Sequence, residues 1–452
     1  MKHTTKRLLA LLLVLCLGFS LAACAAEKAA SGKTPEAKKG EPDARNDAEA
    51  HAPEGGEAME PVADPKYFSA EMYKTDGSAF AGKGAYSEAN PGTPTVPGDA
   101  ETPGDTVPPG GNPDFPAEPL KLTAAEWKDN DNWPFFTNLV NTEAISFPSF
   151  GLDPRNRVEV RVQNEDGAPL VNETVVLADA EGSALWQTRT DKHGTAYLFW
   201  TAGRTPDRVI CGAVEAPVQL PKTTDVQGQT QLRPVEAITL TVSAEAQTMT
   251  GMQVMFIVDT TGSMSDEIAY LQKDFSAIAD RVGSEGVSWS ANFYRDEGDE
   301  YVTRTNGFTS DVAAVQAKIN AEYADGGGDT PEAVAEILTE CLVKQAEWDE
   351  NAVKLAFLIF DAPPHEGKEA ELQAAISAAA EKGIHLIPVV ASNAERDTEL
   401  FGRALAILTG GTYVFLTDDS GIGDSHLEPI VGSYEVELLQ DLIVRIIDEN
   451  RP

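Results

Sequence analysis

Four nearly unbroken apolar runs lie in the C-terminal part of the chain: VMFIVD (254–259), KLAFLIF (354–360), IHLIPVVA (384–391) and TYVFL (412–416). A strand that is apolar at every position has to be covered on both faces, which is the situation of a sheet with helices packed on either side. The intervening stretches supply the helices. In DEIAYLQKDFSAIADRV, residues Ile268, Leu271, Phe275, Ile278 and Val282 recur at helical spacing along one face. Further helices are expected around 313–321, 331–345, 372–380 and 400–408, with VELLQDLIVRIIDE closing the chain, and WSANFY (289–294) reads as one more strand. Strands and helices alternating at these lengths predict a doubly wound, largely parallel α/β sheet over residues 247–452. In such a sheet the functional crevice lies beyond the carboxyl ends of the strands.

The rest of the chain is organised differently, so the protein reads as multidomain. Residues 157–246 carry short alternating runs (VEVRVQ, ETVVLA, ALWQTRT, TAYLFW, RVICGAV, AITLTV), separated by turn clusters such as NEDGAP and DKHG. That pattern predicts a small, all-β antiparallel sandwich. Its sequence resembles the carboxypeptidase-regulatory or bacterial Ig-like surface modules, which serve as spacers or binding units. Residues 120–156 read as an aromatic-rich helical connector: Thr123 and Glu126 in TAAEW have the spacing of a capping box for a short helix carrying Trp127. Residues 24–119 are dominated by Ala, Glu, Pro, Gly, Asp and Lys and are expected to form a disordered tether.

The first residues have the layout of an export signal, with Lys2, Lys6 and Arg7 before an apolar run that reaches Cys24. The tetrad LAAC, Leu21 to Cys24, resembles the lipobox of bacterial lipoproteins. That resemblance implies a signal peptide over 1–23, a lipid on Cys24 and a place on the extracytoplasmic face of a bacterial membrane, the lipid being the only membrane contact. The formal charge of -37 repels nucleic acid and anionic surfaces and favours cations, or partners that bring them. Cys211 and Cys341 fall in different predicted domains, so two buried free thiols are expected rather than a disulfide.

Three loops are expected to meet at the crevice. DTTGS brings Asp259, Thr261 and Ser263 around the turn at Gly262; GGGDTPEA brings Asp329 and Thr330 before Pro331; LIFDAPPH brings Asp361 at the end of a buried strand. Two carboxylates and three hydroxyls form an all-oxygen donor set suited to a hard divalent cation, which keeps waters readily and so leaves a position open. This pattern is similar to the metal-ion-dependent adhesion site of von Willebrand factor type A (VWA) domains, and YRDEGDEYVTR (294–304) resembles a loop recurrent in bacterial members. The resemblance covers roughly residues 250–450 and implies a Rossmann-like fold. Carried over position by position, it implies a site of Asp259, Thr261, Ser263, Thr330 and Asp361 holding Mg²⁺, with Mn²⁺ or Ca²⁺ as alternatives. An acidic side chain of a protein or other partner would complete the metal shell, which is adhesion or assembly rather than turnover. The family usually has serine where this chain has Thr261, and the hydroxyl is kept. Asp329 reads as a helix cap or an outer partner of the metal, and His365 as a loop histidine that could hydrogen-bond a metal-bound water. Asp296, Glu297, Asp299 and Glu300 read as a solvated acidic loop.

Two other readings stand beside adhesion. A phosphatase of the haloacid-dehalogenase type also begins with a strand ending in aspartate, but it needs a second acid where this chain has Thr261. The other is a passive envelope spacer that has kept only the fold.

Overall fold

The computed structural model describes residues 122–220, 225–226, 229–328, 330–345, 347–420 and 425–452. The expected signal peptide, Cys24 and the tether lie outside the described residues. In chain order, strand β1 (Thr123–Trp127) and helix α1 (Trp133–Asn141) come first. A β-rich segment follows: β2 (Arg157–Gln163), β3 (Thr174–Ala178), β4 (Ala184–Arg189), β5 (Thr195–Phe199), β6 (Arg208–Cys211), β7 (Val214–Pro217), β8 (Asp225–Val226), β9 (Gln229–Thr230) and β10 (Ile238–Thr241). The remainder alternates, beginning with β11 (Gly251–Asp259), α2 (Ser265–Val282), β12 (Val287–Tyr294), β13 (Thr303–Arg304), α3 (Val312–Ile319) and α4 (Val334–Leu338). It continues through β14 (Ala352–Phe360), α5 (Glu369–Lys382), β15 (Ile384–Val390), α6 (Arg396–Thr409), β16 (Tyr413–Thr417), β17 (Glu437–Leu438) and α7 (Leu439–Glu449).

Eight strands form the main sheet in the order β13-β12-β11-β14-β15-β16-β1-β17. β11 pairs in parallel with both β12 and β14, and β15 and β16 extend the parallel run. Strand order therefore reverses across β11 and β14, and a crevice opens beyond their carboxyl ends. The period of two along β11 divides its side chains between two cores. Val254, Phe256 and Val258 face α2 and α7 with Phe275, Ile278 and Leu442, while Met255 and Ile257 face α4, α5 and α6 with Val334, Leu372 and Phe401. Each such side chain, fully buried, contributes about 1.5–3 kcal/mol. This two-sided burial is what the unbroken apolar runs require.

The expected capping-box helix at 123–127 is not formed; that stretch is β1, a strand. It runs antiparallel to β16, with Thr123 opposite Thr417 and Trp127 opposite Tyr413. The residues read as caps bond to other elements instead: the Thr123 hydroxyl donates across the sheet to Thr417 O at 3.2 Å, and Glu126 accepts from Arg445 of α7 at 2.9 Å. Ala124 and Ala125 are fully buried on opposite faces, Ala124 in one core and Ala125 in the other. The paired backbone and double burial outweigh the local helix preference of two alanines. Trp133, Phe136 and Leu139 of α1 pack into the same core as Phe401 and Tyr413. The α/β sheet thus draws on residues before the β-rich segment as well as after it, and the connector is part of that domain.

The β-rich segment forms two small sheets, β10-β2-β5 and β4-β3-β6-β7, around a common core that includes Val158, Val160, Leu177, Leu198, Val209 and Leu240, with β8 and β9 paired separately as a two-stranded ribbon. The expected all-antiparallel arrangement is broken at one edge, where β10 pairs with β2 in parallel, Ile238 opposite Val160. The chain reaches β10 by a long return rather than a hairpin, so either direction is open to it. Cys211 and Cys341 are both free and buried. The Arg157 guanidinium joins this segment to α1, lying 4.0 Å from the Trp133 ring and 4.7 Å from the Tyr197 ring. No described helix is long and apolar enough to cross a membrane.

Candidate functional site

Asp259 ends β11 at the switch point and is fully buried. Its Oδ1 accepts two hydrogen bonds from one residue, the Thr261 N–H at 2.9 Å and the Thr261 hydroxyl at 2.7 Å. Its Oδ2 is buried without a well-aligned partner among the described residues, the Tyr294 hydroxyl being the other donor that draws this carboxyl down. The Thr261 hydroxyl lies 3.5 Å from the Ser263 hydroxyl, at the start of the short turn Gly262–Met264 that leads into α2. Ser263 in turn lies against Asp361, drawing its carboxyl down, although burial raises that carboxyl overall. Asp361 follows β14, and its Oδ1 is likewise buried without a well-aligned partner among the described residues, as are Glu332 Oε2 and Glu267 Oε2. Asp259, Thr261, Ser263 and Asp361 thus form one continuous run of oxygens at the ends of neighbouring strands.

The glycine loop is laid directly on this run. Gly262 N–H donates to Gly326 O at 3.2 Å, and a Cβ on Gly327 would stand 2.6 Å from both Thr261 Cβ and Glu332 Oε1. Gly327 also has φ +60°, so glycine is required there for conformation and for space. The third loop is tied to the second by the backbone, Glu332 N–H donating to Pro363 O at 3.0 Å. That bridge holds the lead-in extended, and the helix expected from 331 begins only at Val334.

YRDEGDEYVTR supports the site from below. The Thr260 hydroxyl, which points away from Asp259, donates to Tyr294 O at 2.8 Å and meets the Tyr301 hydroxyl at 2.6 Å. Tyr301 and Arg304 both reach Glu322, each at 2.7 Å. The buried Arg295 guanidinium lies 4.8 Å from the rings of Tyr301 and Tyr323. The loop is not uniformly solvated: Asp296 is buried, and Asp299 Oδ2 accepts from Gly327 N–H at 2.9 Å, while Glu297 and Glu300 are exposed. Asp299 Oδ2 also accepts the N–H of Asp296 at 3.0 Å, so one carboxylate oxygen ties its own turn to the glycine loop.

Burial and mutual repulsion set the electrostatics. Burial first, then the charge of Asp361, holds the Asp259 carboxyl above the usual range against the two bonds from Thr261. Glu332 is raised to about 9 by burial, then by Asp259, Asp296, Asp361 and Asp299. Glu267, in the first turn of α2, accepts from the Ser392 hydroxyl at 2.7 Å and adds to the charge felt by Asp361. Glu332 and Glu267 were not singled out from sequence. Glu332 lies in the quoted GGGDTPEA, and the signal would have been a carboxylate two residues after an expected ligand.

The other sequence candidates are placed as follows. Thr330 is exposed, and its hydroxyl makes no hydrogen bond among the described residues. His365 lies 2.6 Å from Asp296 rather than at the centre. Asp329 lies outside the described residues. Among the described residues no three carboxylate, imidazole or thiol groups are arranged to share an ion. Any cation would be held by two carboxylates together with hydroxyls. That donor set, with buried oxygens of Asp259 and Asp361 lacking well-aligned partners among the described residues, fits a hard divalent ion.

A doubly wound sheet with carboxylates and hydroxyls on the loops at its switch point defines the class: an α/β domain with an oxygen-lined crevice. Residues 253–421 match the von Willebrand factor A domain family, and a VWA domain is found there. Over 214 residues the chain is 26% identical to an ariadne-like RING finger protein of Acanthamoeba polyphaga mimivirus. That stretch covers 42% of this chain and 20% of the viral protein, so the chain spans only a fifth of that relative's length. A VWA domain points to protein interaction or adhesion.

Proposed function

We propose that the chain is a lipid-anchored protein of the extracytoplasmic membrane face whose VWA domain holds a divalent cation, Mg²⁺ first and Mn²⁺ or Ca²⁺ as alternatives. Through that cation it would take a carboxylate of a protein or other acidic partner. The observation that supports this is the run of buried carboxylate and hydroxyl oxygens at the sheet's switch point, in which Asp259 Oδ2 and Asp361 Oδ1 lack well-aligned partners among the described residues and are linked through Thr261 and Ser263. Asp259, Thr261, Ser263 and Asp361 would hold the ion, with the exposed Thr330 joining from the glycine loop. The ion supplies a local positive charge that an approaching carboxylate needs on a surface of this net charge. Cys24 would carry the lipid, and the two small sheets of 157–242 would be an Ig-like module that spaces the VWA domain from the membrane.

No turnover belongs to this reading. Thr261 stands where a haloacid-dehalogenase phosphatase needs its acid, and its hydroxyl is spent on Asp259. Calorimetry with Mg²⁺ on the wild type and on Asp259→Ala tests the proposal: saturable binding lost in the variant supports it, and no binding to the wild type overturns it. Retention on the parent cell-envelope fraction, reversed by EDTA and lost in Thr330→Ala, would extend it to the partner.

A further inference from the structure

Lys354 is out of place in its strand. It occupies the third position of β14, paired in register with Gln253 and Ile384, at the end of the sheet opposite Asp361. It is 2% exposed, yet its ammonium has no hydrogen bond or ion pair among the described residues. A buried charge without a partner is costly, and an aliphatic residue would serve a strand covered on both faces better.

What Lys354 faces is a cavity of about 200 Å³ between the two-sheet segment and the α/β domain. Arg189, Lys192, Asp191, Asn172 and His385 also line it. Arg189 is held in place by carbonyls, its Nε donating to Glu381 O at 3.1 Å and its Nη1 to Asn172 O at 3.1 Å, which leaves Nη2 without an acceptor among the described residues. His385 Nδ1 lies 3.0 Å from Thr409 O and 3.1 Å from Gly410 O; both are acceptors, so Nδ1 carries the proton. Burial holds that imidazole below its usual value, so it adds no charge. Asp191 is a carboxylate of the lining whose Oδ1 already accepts the N–H groups of His193 and Thr195 at 2.8 Å, and Asp349 and Glu350 are the carboxylates whose charge bears on Lys354. Lys192 donates to Glu449 O. Lys354 and Arg189 therefore both line one small space, each with a donor that no described residue accepts, in a chain whose formal charge is -37. Burial first, and the Arg189 charge second, lower the Lys354 ammonium to about 8, so it remains mostly charged at neutral pH.

We infer that this cavity binds a small oxyanion, a carboxylate or phosphate group, between Lys354 and Arg189. Its volume is below the ~300–1,000 Å³ of pockets for drug-sized ligands, which suits one small acid or one headgroup. Because Arg189 belongs to β4 and Lys354 to β14, the bound anion would link the two-sheet segment to the VWA domain.

The test is thermal unfolding and calorimetry of the full-length protein with inorganic phosphate, with succinate, and with chloride at matched ionic strength. Saturable stabilisation by phosphate or succinate but not chloride, weakened at least tenfold in Lys354→Met, is expected, and the tighter of the two names the group. A response equal to that of chloride, or one unchanged in Lys354→Met, overturns the inference. Should Lys354→Met fail to fold, Arg189→Gln carries the same comparison. Both sites can be read separately, since Asp259→Ala should leave anion binding intact.

Discussion

Thr261 gives both of its donors, backbone N–H at 2.9 Å and hydroxyl at 2.7 Å, to the same oxygen of Asp259. That pair of hydrogen bonds to Oδ1 orients the carboxylate and leaves Oδ2 buried without a well-aligned partner among the described residues. Replacing the hydroxyl tests how much of the site depends on this orientation. In Thr261→Val the backbone donor remains, so the fold should survive with a loss of about 1.5–3 kcal/mol, the usual range for a hydrogen bond to a charged group. Mg²⁺ affinity should fall at least tenfold, while Thr261→Ser should restore it. Calorimetry on the two variants decides: equal Mg²⁺ affinities would mean that the hydroxyl has no part in holding the ion.

The raised carboxyls predict how stability varies with pH. In the unfolded chain Asp259, Asp361 and Glu332 lose their protons near pH 4, at about the ordinary carboxylate values. In the folded chain burial and mutual repulsion keep those protons on to higher pH, to about 9 for Glu332. Over that window the folded state binds more protons than the unfolded one, so stability must fall as pH rises. A divalent cation compensates the same charges. The melting temperature in EDTA should therefore drop between pH 5 and pH 8.5, and added Mg²⁺ should flatten the decline. Melting curves that shift in parallel with and without Mg²⁺ would show that the ion does not meet these carboxylates.

Gly327 gives a sharper structural test. An alanine there meets Thr261 Cβ and Glu332 Oε1 at 2.6 Å and must hold φ at +60°. The left-handed conformation costs about 1–2 kcal/mol and overpacking about 1–3 kcal/mol more, so Gly327→Ala should lower stability by at least 2 kcal/mol and displace Thr261. Gly328 is the control, since its Cβ would meet nothing within 4 Å. Chemical denaturation should find Gly328→Ala close to wild type. Equal effects at the two positions would mean that the close approach is relieved by loop movement.

How much of this was legible in the sequence depended on whether the signal was local. β11, β14, β15 and β16 announced themselves because a strand covered on both faces is apolar throughout, and Asp259 and Asp361 were visible as the residues that end such runs. TAAEW was misread because its fate is decided by partners about three hundred residues away: β16, opposite Thr417 to Tyr413, and β17, opposite Leu438 and Glu437, make a strand of it. The inward turn of Glu332 and Asp299 was hidden for a related reason. Both are polar residues in acidic loops, and what buries them is the contact of one loop with another, at Gly327 and Pro363. Spacing along the chain carries no record of such contacts.

The early segment is held to the α/β domain by more than strand pairing. Arg403 of α6 and Asp129, just after β1, are both buried, and the guanidinium donates to the carboxylate at 2.9 and 2.7 Å. Asp129 Oδ1 also accepts the Trp127 indole N–H at 3.0 Å, and Arg403 donates to Ile430 O at 2.8 Å. Removing one partner strands the other charge in a buried site, which costs about 3–5 kcal/mol, whereas replacing both with apolar residues of similar volume is often near neutral. Asp129→Leu should therefore destabilise the protein by several kcal/mol, and Asp129→Leu with Arg403→Met should recover most of the loss. Glu399 still lies 3.2 Å from Arg403 in the single variant, so part of the charge stays compensated and the lower end of the range is expected. Equilibrium urea unfolding of the two variants checks the pair. If the double variant is no more stable than the single one, the network's worth lies in the bonds to Trp127 and Ile430 rather than in charge pairing.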